Sequence, residues 1–177
     1  MGDGGSAGGA ADDRHESFEA FFDRLLPRAV SVGRRILGSR SDGEDAAVEG
    51  LARAYLRWDE LSGASYREAW VLRVTANAAY DQLRRQARSR KFESAEAAPR
   101  DEMRAVDLRR TLVPMLRRLS RRQREVVILS HMVGLSHEEI AGVLGCSIGS
   151  VKVHARRGLE RLRGDPAWQE ALAEEER

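Results

Sequence analysis

Asn77 and Asp81 stand four residues apart in a stretch that reads as helix, so a carboxamide and a carboxylate share one face. Both groups can hydrogen-bond a base edge. Tyr66, Arg67 and Trp70 precede them, and Arg84 and Arg85 follow. Aromatic faces for stacking, with arginines to follow a phosphate backbone, suit an unpaired strand, although a ring such as that of Trp70 more often fills a core. A second constellation, Ser150, Lys152, Val153, His154, Arg156 and Arg157, lies towards the C-terminus. Its hydroxyl, imidazole, ammonium and guanidinium groups can reach base edges and phosphates in a duplex groove. Cys146, His131, His137 and His154 offer metal-ligand atoms, but their spacing is not that of a recognised zinc finger. There is no Walker-type glycine loop, no convincing pair of metal-binding carboxylates and no nucleophile with its base, so neither catalytic residues nor a cofactor or metal are expected.

Helices are expected to position these groups. Phe18, Phe21, Phe22, Leu25 and Leu26 recur at spacings of three and four, and Ala29, Val30, Val32, Ile36 and Leu37 resume the stripe beyond Pro27, which should bend or interrupt it. A second helix opens at Ser41 or Asp42 and runs to about Trp58. After a loop over 61–65, a third carries Trp70, Val71, Val74, Ala78 and Leu83 into a basic run ending near Lys91. Pro114 predicts a kink or boundary in the next apolar stripe, and Ser120 caps a helix ending near Gly134. Ser136 and Glu139 form a capping box, Gly145 stops that helix, and Ser147 caps the last one. The last helix turns Ile148, Val151, Ala155, Leu159 and Leu162 inward and Ser150, Val153, His154, Arg157 and Arg161 outward. Two helices about a tight turn, the second with a basic outer face, make a helix-turn-helix pattern. No segment alternates as a strand would.

The chain is therefore read as all-α: two small helical domains joined by a flexible linker, the second containing the helix-turn-helix. The expected divisions are a disordered tail over 1–15, a first domain over 16–92, a linker over 93–104, a second domain over 105–164 and an acidic tail over 165–177. The 177 residues carry 30 basic and 28 acidic side chains, but the charge is segregated. Arg84–Lys91 and Arg109–Arg124 are arginine-rich and free of acids, a footprint suited to a polyphosphate partner. A lone cysteine makes no internal disulfide. No apolar run approaches a membrane span, and the start lacks a secretory signal, so no membrane partner and a cytoplasmic location are expected.

Asp42–Ala46, Ala69–Asn77 and Asp81–Arg85 together resemble the promoter-melting domain of bacterial sigma factors of the extracytoplasmic-function (ECF) group. Leu119–Val127, Gly134–Ala141 and Ser150–Lys152 resemble their upstream-element domain, and the likeness spans about residues 16–164 in order. The resemblance implies a factor that binds core RNA polymerase, directs it to promoter DNA and helps to open the start region. By position, Asn77 and Asp81, with Arg67, Arg84 and Arg85, would serve the minus-ten element, and the loop with Gly63, Ser65 and Tyr66 would hold a flipped base. Ser150, Lys152, Val153, His154, Arg156 and Arg157 would face the minus-thirty-five element. Asp45, Glu49 and Arg53 would dock on the polymerase, and an anti-sigma protein is a further partner the resemblance admits. The rival readings are a stand-alone repressor or activator, which would bind closed duplex unaided, and a nucleic-acid enzyme, which lacks its catalytic residues.

Overall fold

The structure is a computed structural model that describes residues 16–89 and 112–165. The expected tail 1–15, the linker 93–104, and the acidic tail beyond Asp165 with Trp168 lie outside the described residues. Among the described residues every regular element is helical.

Helix α1 spans Phe18–Leu37, with the Ser17 side chain accepting from the Ala20 amide and Gly38 ending it at φ 71°. The expected interruption at Pro27 does not occur. Pro27 and Asp23 are both exposed, so the carbonyl that proline leaves without a helical donor can bond to water. Helix α2 spans Arg40–Tyr55 and starts earlier than expected, because Ser39 is its N-cap. Asp42 instead ties α2 to the third long helix, accepting from Gln82 Nε2 at 2.9 Å and Gln86 Nε2 at 3.3 Å. A short α3, Trp58–Leu61, occupies the chain before the expected loop, and α4 spans Arg67–Ser89.

Helices α1, α2 and α4 close a core around Phe21, Leu25, Ile36, Leu51, Leu72 and Leu83. Glycines set how closely they pack. A Cβ on Gly33 of α1 would lie 2.6 Å from the Gly43 carbonyl oxygen of α2, and one on Gly50 would lie 2.2 Å from Thr75 Oγ1 of α4. Any side chain at either crossing would force the helices apart.

Residues 112–118, here α5, are helical and contain Pro114; the chain before Leu112, where a boundary would show, lies outside the described residues. Helix α6 spans Arg121–Val127, with Ser120 and Gln123 completing a capping box. It continues as a π-helical turn, Ile128–Val133, closed by Gly134 at φ 80°. Ser130 Oγ donates to the Val127 carbonyl here, a local competitor for the helical ladder. Helices α7, His137–Leu144, and α8, Ile148–Arg163, follow. Val151, Ala155, Gly158 and Leu162 of α8 face the core, whereas Ile148, expected inside, is exposed at the helix start. The two halves touch directly: Arg35 of α1 donates to the Met132 carbonyl, and Arg73 of α4 reaches α6 and α7.

Candidate nucleic-acid interface

The turn between α7 and α8 is fixed by backbone chemistry. Gly145 takes φ 62°, its amide donates to the Gly142 carbonyl, and the Cys146 amide donates to the Ala141 carbonyl, the paired bonds of a Schellman stop. At the other end of α7, Ser136 accepts from the Glu139 amide at 3.1 Å while Glu139 accepts from the Ser136 amide at 2.7 Å. Ser147 then accepts from the Ser150 amide at 3.1 Å and starts α8. These caps hold the second helix of the pair at a set angle to the first, as groove entry requires.

Lys152, Val153, Arg156 and Arg157 stand exposed on α8. Arg156 has only a 3.8 Å contact to Glu160, so these cations are available to a polyanion. The Ser150 hydroxyl lies 2.9 Å from the Ser147 hydroxyl and belongs to the cap as well as to the surface. His154 is half-buried with Nδ1 enclosed and without a hydrogen-bond partner, so only part of its ring faces outward. Glu138 beside them has its carboxyl held below the ordinary 4.5, first by its own amide at the helix start, then by the Ser136 hydroxyl, with the Lys152 charge acting in the same sense. Among the described residues no three His, Cys, Asp or Glu side chains converge on a metal-sized site.

On α4 the structure brings Asn77, Asp81 and Arg84 to one edge, with Asp81 and Arg84 3.6 Å apart as a loose ion pair. Tyr80 lies buried beneath them. Arg85, also exposed, extends the basic edge towards the helix end. Gly63, Ser65 and Tyr66 precede the start of α4, Tyr66 about 16 Å from Asn77 at 1.5 Å per residue; a Cβ on Gly63 would meet open space, and Tyr66 is 43% exposed. One helix thus carries a turn with an exposed aromatic at its start and a polar, basic edge farther on.

Comparison with known proteins decides what this pair of surfaces belongs to. Residues 21–89 match the family Sigma-70 region 2, and residues 109–162 match Sigma-70, region 4. The RNA polymerase sigma factor CarQ of Myxococcus xanthus is 33% identical over 162 residues, covering 86% of this chain and 90% of that protein. The sigma-E factor of Streptomyces coelicolor is 33% identical over 166 residues, covering 90% and 94%. The chain belongs to the ECF sigma factors. Its function is promoter-specific transcription initiation with RNA polymerase, and sigma factors are initiation factors rather than enzymes. Among solved structures, the chain is similar to the sigma factor RpoE of Bartonella quintana, in complex there with the anti-sigma factor NepR, at 26% identity and TM-score 0.51 over 82% of this chain and 94% of that one. It shares the fold of CnrH, solved with the cytosolic domain of CnrY, at 24% identity and TM-score 0.56 over 87% and 92%.

Within region 2 of this sigma factor, one expected DNA residue is placed elsewhere. Arg67 is 6% exposed. It donates to the Ser62 carbonyl at 2.7 Å and to Glu16 Oε2 at 3.1 Å, and its guanidinium sits 5.8 Å from the centre of the Phe21 ring. Arg67 therefore holds the turn before α4 against α1 and, contrary to the expectation that it serves DNA, is withdrawn from solvent. Trp70 is half-buried with the Arg57 guanidinium 5.6 Å from its centroid.

The outer face of α2 carries more than its charges suggested. Asp45, Glu49 and Arg53 are exposed, with Glu49 and Arg53 paired at 2.7 Å. Val48 is 52% exposed and Leu56 81%. Positions 45, 48, 49, 52, 53 and 56 follow the three-and-four spacing of one helical face, so a charged stripe with apolar members points away from the core. The apolar identity of Val48 alone does not say which side the helix buries. No helix among the described residues is long and apolar enough to cross a membrane.

Proposed function

We propose that region 4 reads the minus-thirty-five element through α8 and that region 2 reads and opens the minus-ten element through α4. The observation that carries this reading is the capped α7–α8 pair with Lys152, Val153, Arg156 and Arg157 exposed on its outer helix. Ser150 and the outer part of His154 complete that surface. Phosphate contacts from the arginines and Lys152 supply affinity that falls as salt rises, and base contacts set register.

Asn77 and Asp81 then read unpaired bases, with Arg84 and Arg85 on the backbone and the turn of Gly63, Ser65 and Tyr66 receiving an extruded base. Extrusion costs a few kcal/mol, which stacking and hydrogen bonding in that turn offset. The α2 face, with Asp45, Glu49, Arg53, Val48 and Leu56, docks on core RNA polymerase. An anti-sigma protein, as NepR is for RpoE of Bartonella quintana, binds both regions and withholds them. Run-off transcription with purified core polymerase and a genomic promoter library tests the reading. It should give a defined start point and a two-part consensus, and Asn77→Ala should impair strand opening while leaving closed binding intact. Tight binding to closed duplex by the chain alone, with no initiation by polymerase, would favour a stand-alone regulator and overturn it.

A further inference from the structure

Val153 is an apolar side chain in a polar surface. It lies in the second turn of α8, is 38% exposed, and among the described residues takes no part in the core. On the same face Gly149 and Ser150 stand one turn before it and Arg156 and Arg157 one turn after it, all exposed. A lone exposed valine is ordinary on a protein surface. One at the centre of a face that enters a DNA groove is covered by a base edge and has to match it.

The relief of the helix start allows that contact. A Cβ on Gly149 would come near only Ser147 Oγ, at 3.8 Å, so the face ahead of Val153 carries nothing larger than the Ser150 hydroxymethyl group. That hydroxyl lies back against the Ser147 hydroxyl at 2.9 Å. Small residues here let the backbone of the first turn approach the bases, which brings a side chain as short as valine to their edges. Arg156 and Arg157 begin about 5 Å farther along the axis, and base pairs repeat every 3.4 Å or about that. The base under Val153 is therefore within about two base pairs of those under the arginines.

In the major groove adenine, guanine and cytosine offer donors and acceptors, whereas thymine adds a C5-methyl group. Val153 has no hydrogen-bonding group in its side chain. Against a polar edge it would displace water and leave that edge without a partner; against thymine it removes two apolar surfaces from water.

We propose that Val153 determines specificity: it packs on the C5-methyl group of one thymine in the minus-thirty-five element, which therefore carries thymine on a defined strand at that step. This rests on the assignment of α8 to that element and adds to it the base that one side chain selects.

The test uses the full chain assembled with core polymerase, and promoter duplexes from the run-off consensus. Each thymine of the upstream element is replaced in turn by deoxyuridine, which removes the methyl group and keeps the pairing. Closed binding is read by fluorescence anisotropy at low temperature. One replacement should weaken wild-type binding about two- to fourfold, the worth of one methyl group partly or fully buried. In Val153→Ala, checked for native helicity by circular dichroism, the thymine and deoxyuridine duplexes should bind equally. An element without thymine, no effect of deoxyuridine at any position, or the same loss persisting in Val153→Ala overturns the contact. Failure of the α8 assignment itself shows separately, as upstream-element binding unchanged in both Arg156→Ala and Arg157→Ala, and overturns both readings.

Discussion

Arg67→Ala separates a structural arginine from a DNA-binding one. The side chain gives one charged hydrogen bond to Glu16, one to the Ser62 carbonyl and a stacking contact on Phe21. Removing one partner of a buried ion pair costs about 3–5 kcal/mol when the other is stranded. Glu16 is not stranded, because Arg24 donates to both its oxygens at 2.9 Å and the carboxylate keeps some access to water. What remains is the Ser62 carbonyl bond, a charge-assisted bond and the ring contact, together about 2–3 kcal/mol. For a domain of this size that lowers Tm by about 10–20 °C. Thermal unfolding followed by circular dichroism, together with strand binding measured well below the transition, is the assay. The expected result is a lower Tm with strand affinity almost unchanged at low temperature. An unchanged Tm with strand affinity lost would refute the structural role and return Arg67 to the DNA surface.

Three further outcomes are expected. Arg157→Ala should weaken binding to the minus-thirty-five duplex by about 1–3 kcal/mol if the side chain makes a bidentate base contact; equal losses on specific and scrambled duplexes in fluorescence anisotropy would show a phosphate contact alone. Ser136→Ala should destabilise region 4 by about 1 kcal/mol, since it removes the hydroxyl that accepts from the Glu139 amide in the capping box, and a urea midpoint equal to wild type would count against it. Glu16 has its carboxyl held below the usual 4.5, first by hydrogen bonding from Arg24 and then by the charges of Arg24 and Arg67 against the opposing pull of burial. A carboxyl depressed by folding contributes stability that is complete above its unfolded value and is lost as pH falls through the folded one. Acid titration of stability should therefore be shallower below pH 4.5 in Glu16→Gln than in wild type, and identical acid limbs would contradict the linkage.

What the sequence makes legible here is local chemistry. Ser136 with Glu139, Gly145 and Ser147 announce the helix-turn-helix because caps and left-handed stops act within four residues of themselves, and each forms as its spacing predicts. Periodicity likewise marks α1 and the inward positions Val151, Ala155 and Leu162. It misjudges Pro27, whose cost depends on whether the orphaned carbonyl meets water, and Ile148, whose side depends on where the first turn of α8 ends up against α6 and α7. The π-helical turn at Ile128–Val133 leaves no mark in the apolar spacing.

Arginine is where sequence reading is weakest, because its charge is visible while its partner is not. Arg67 and Arg84 belong to one helix, yet the first is enclosed by Glu16, fifty-one positions upstream, and the second borders a groove. Arg73, which no motif singles out, meets Glu125 fifty-two positions away. A solvated arginine face and an interdomain clasp have the same composition; they differ in whether an acid from another element arrives within about 3 Å with its own water removed. Only the tertiary arrangement carries that difference.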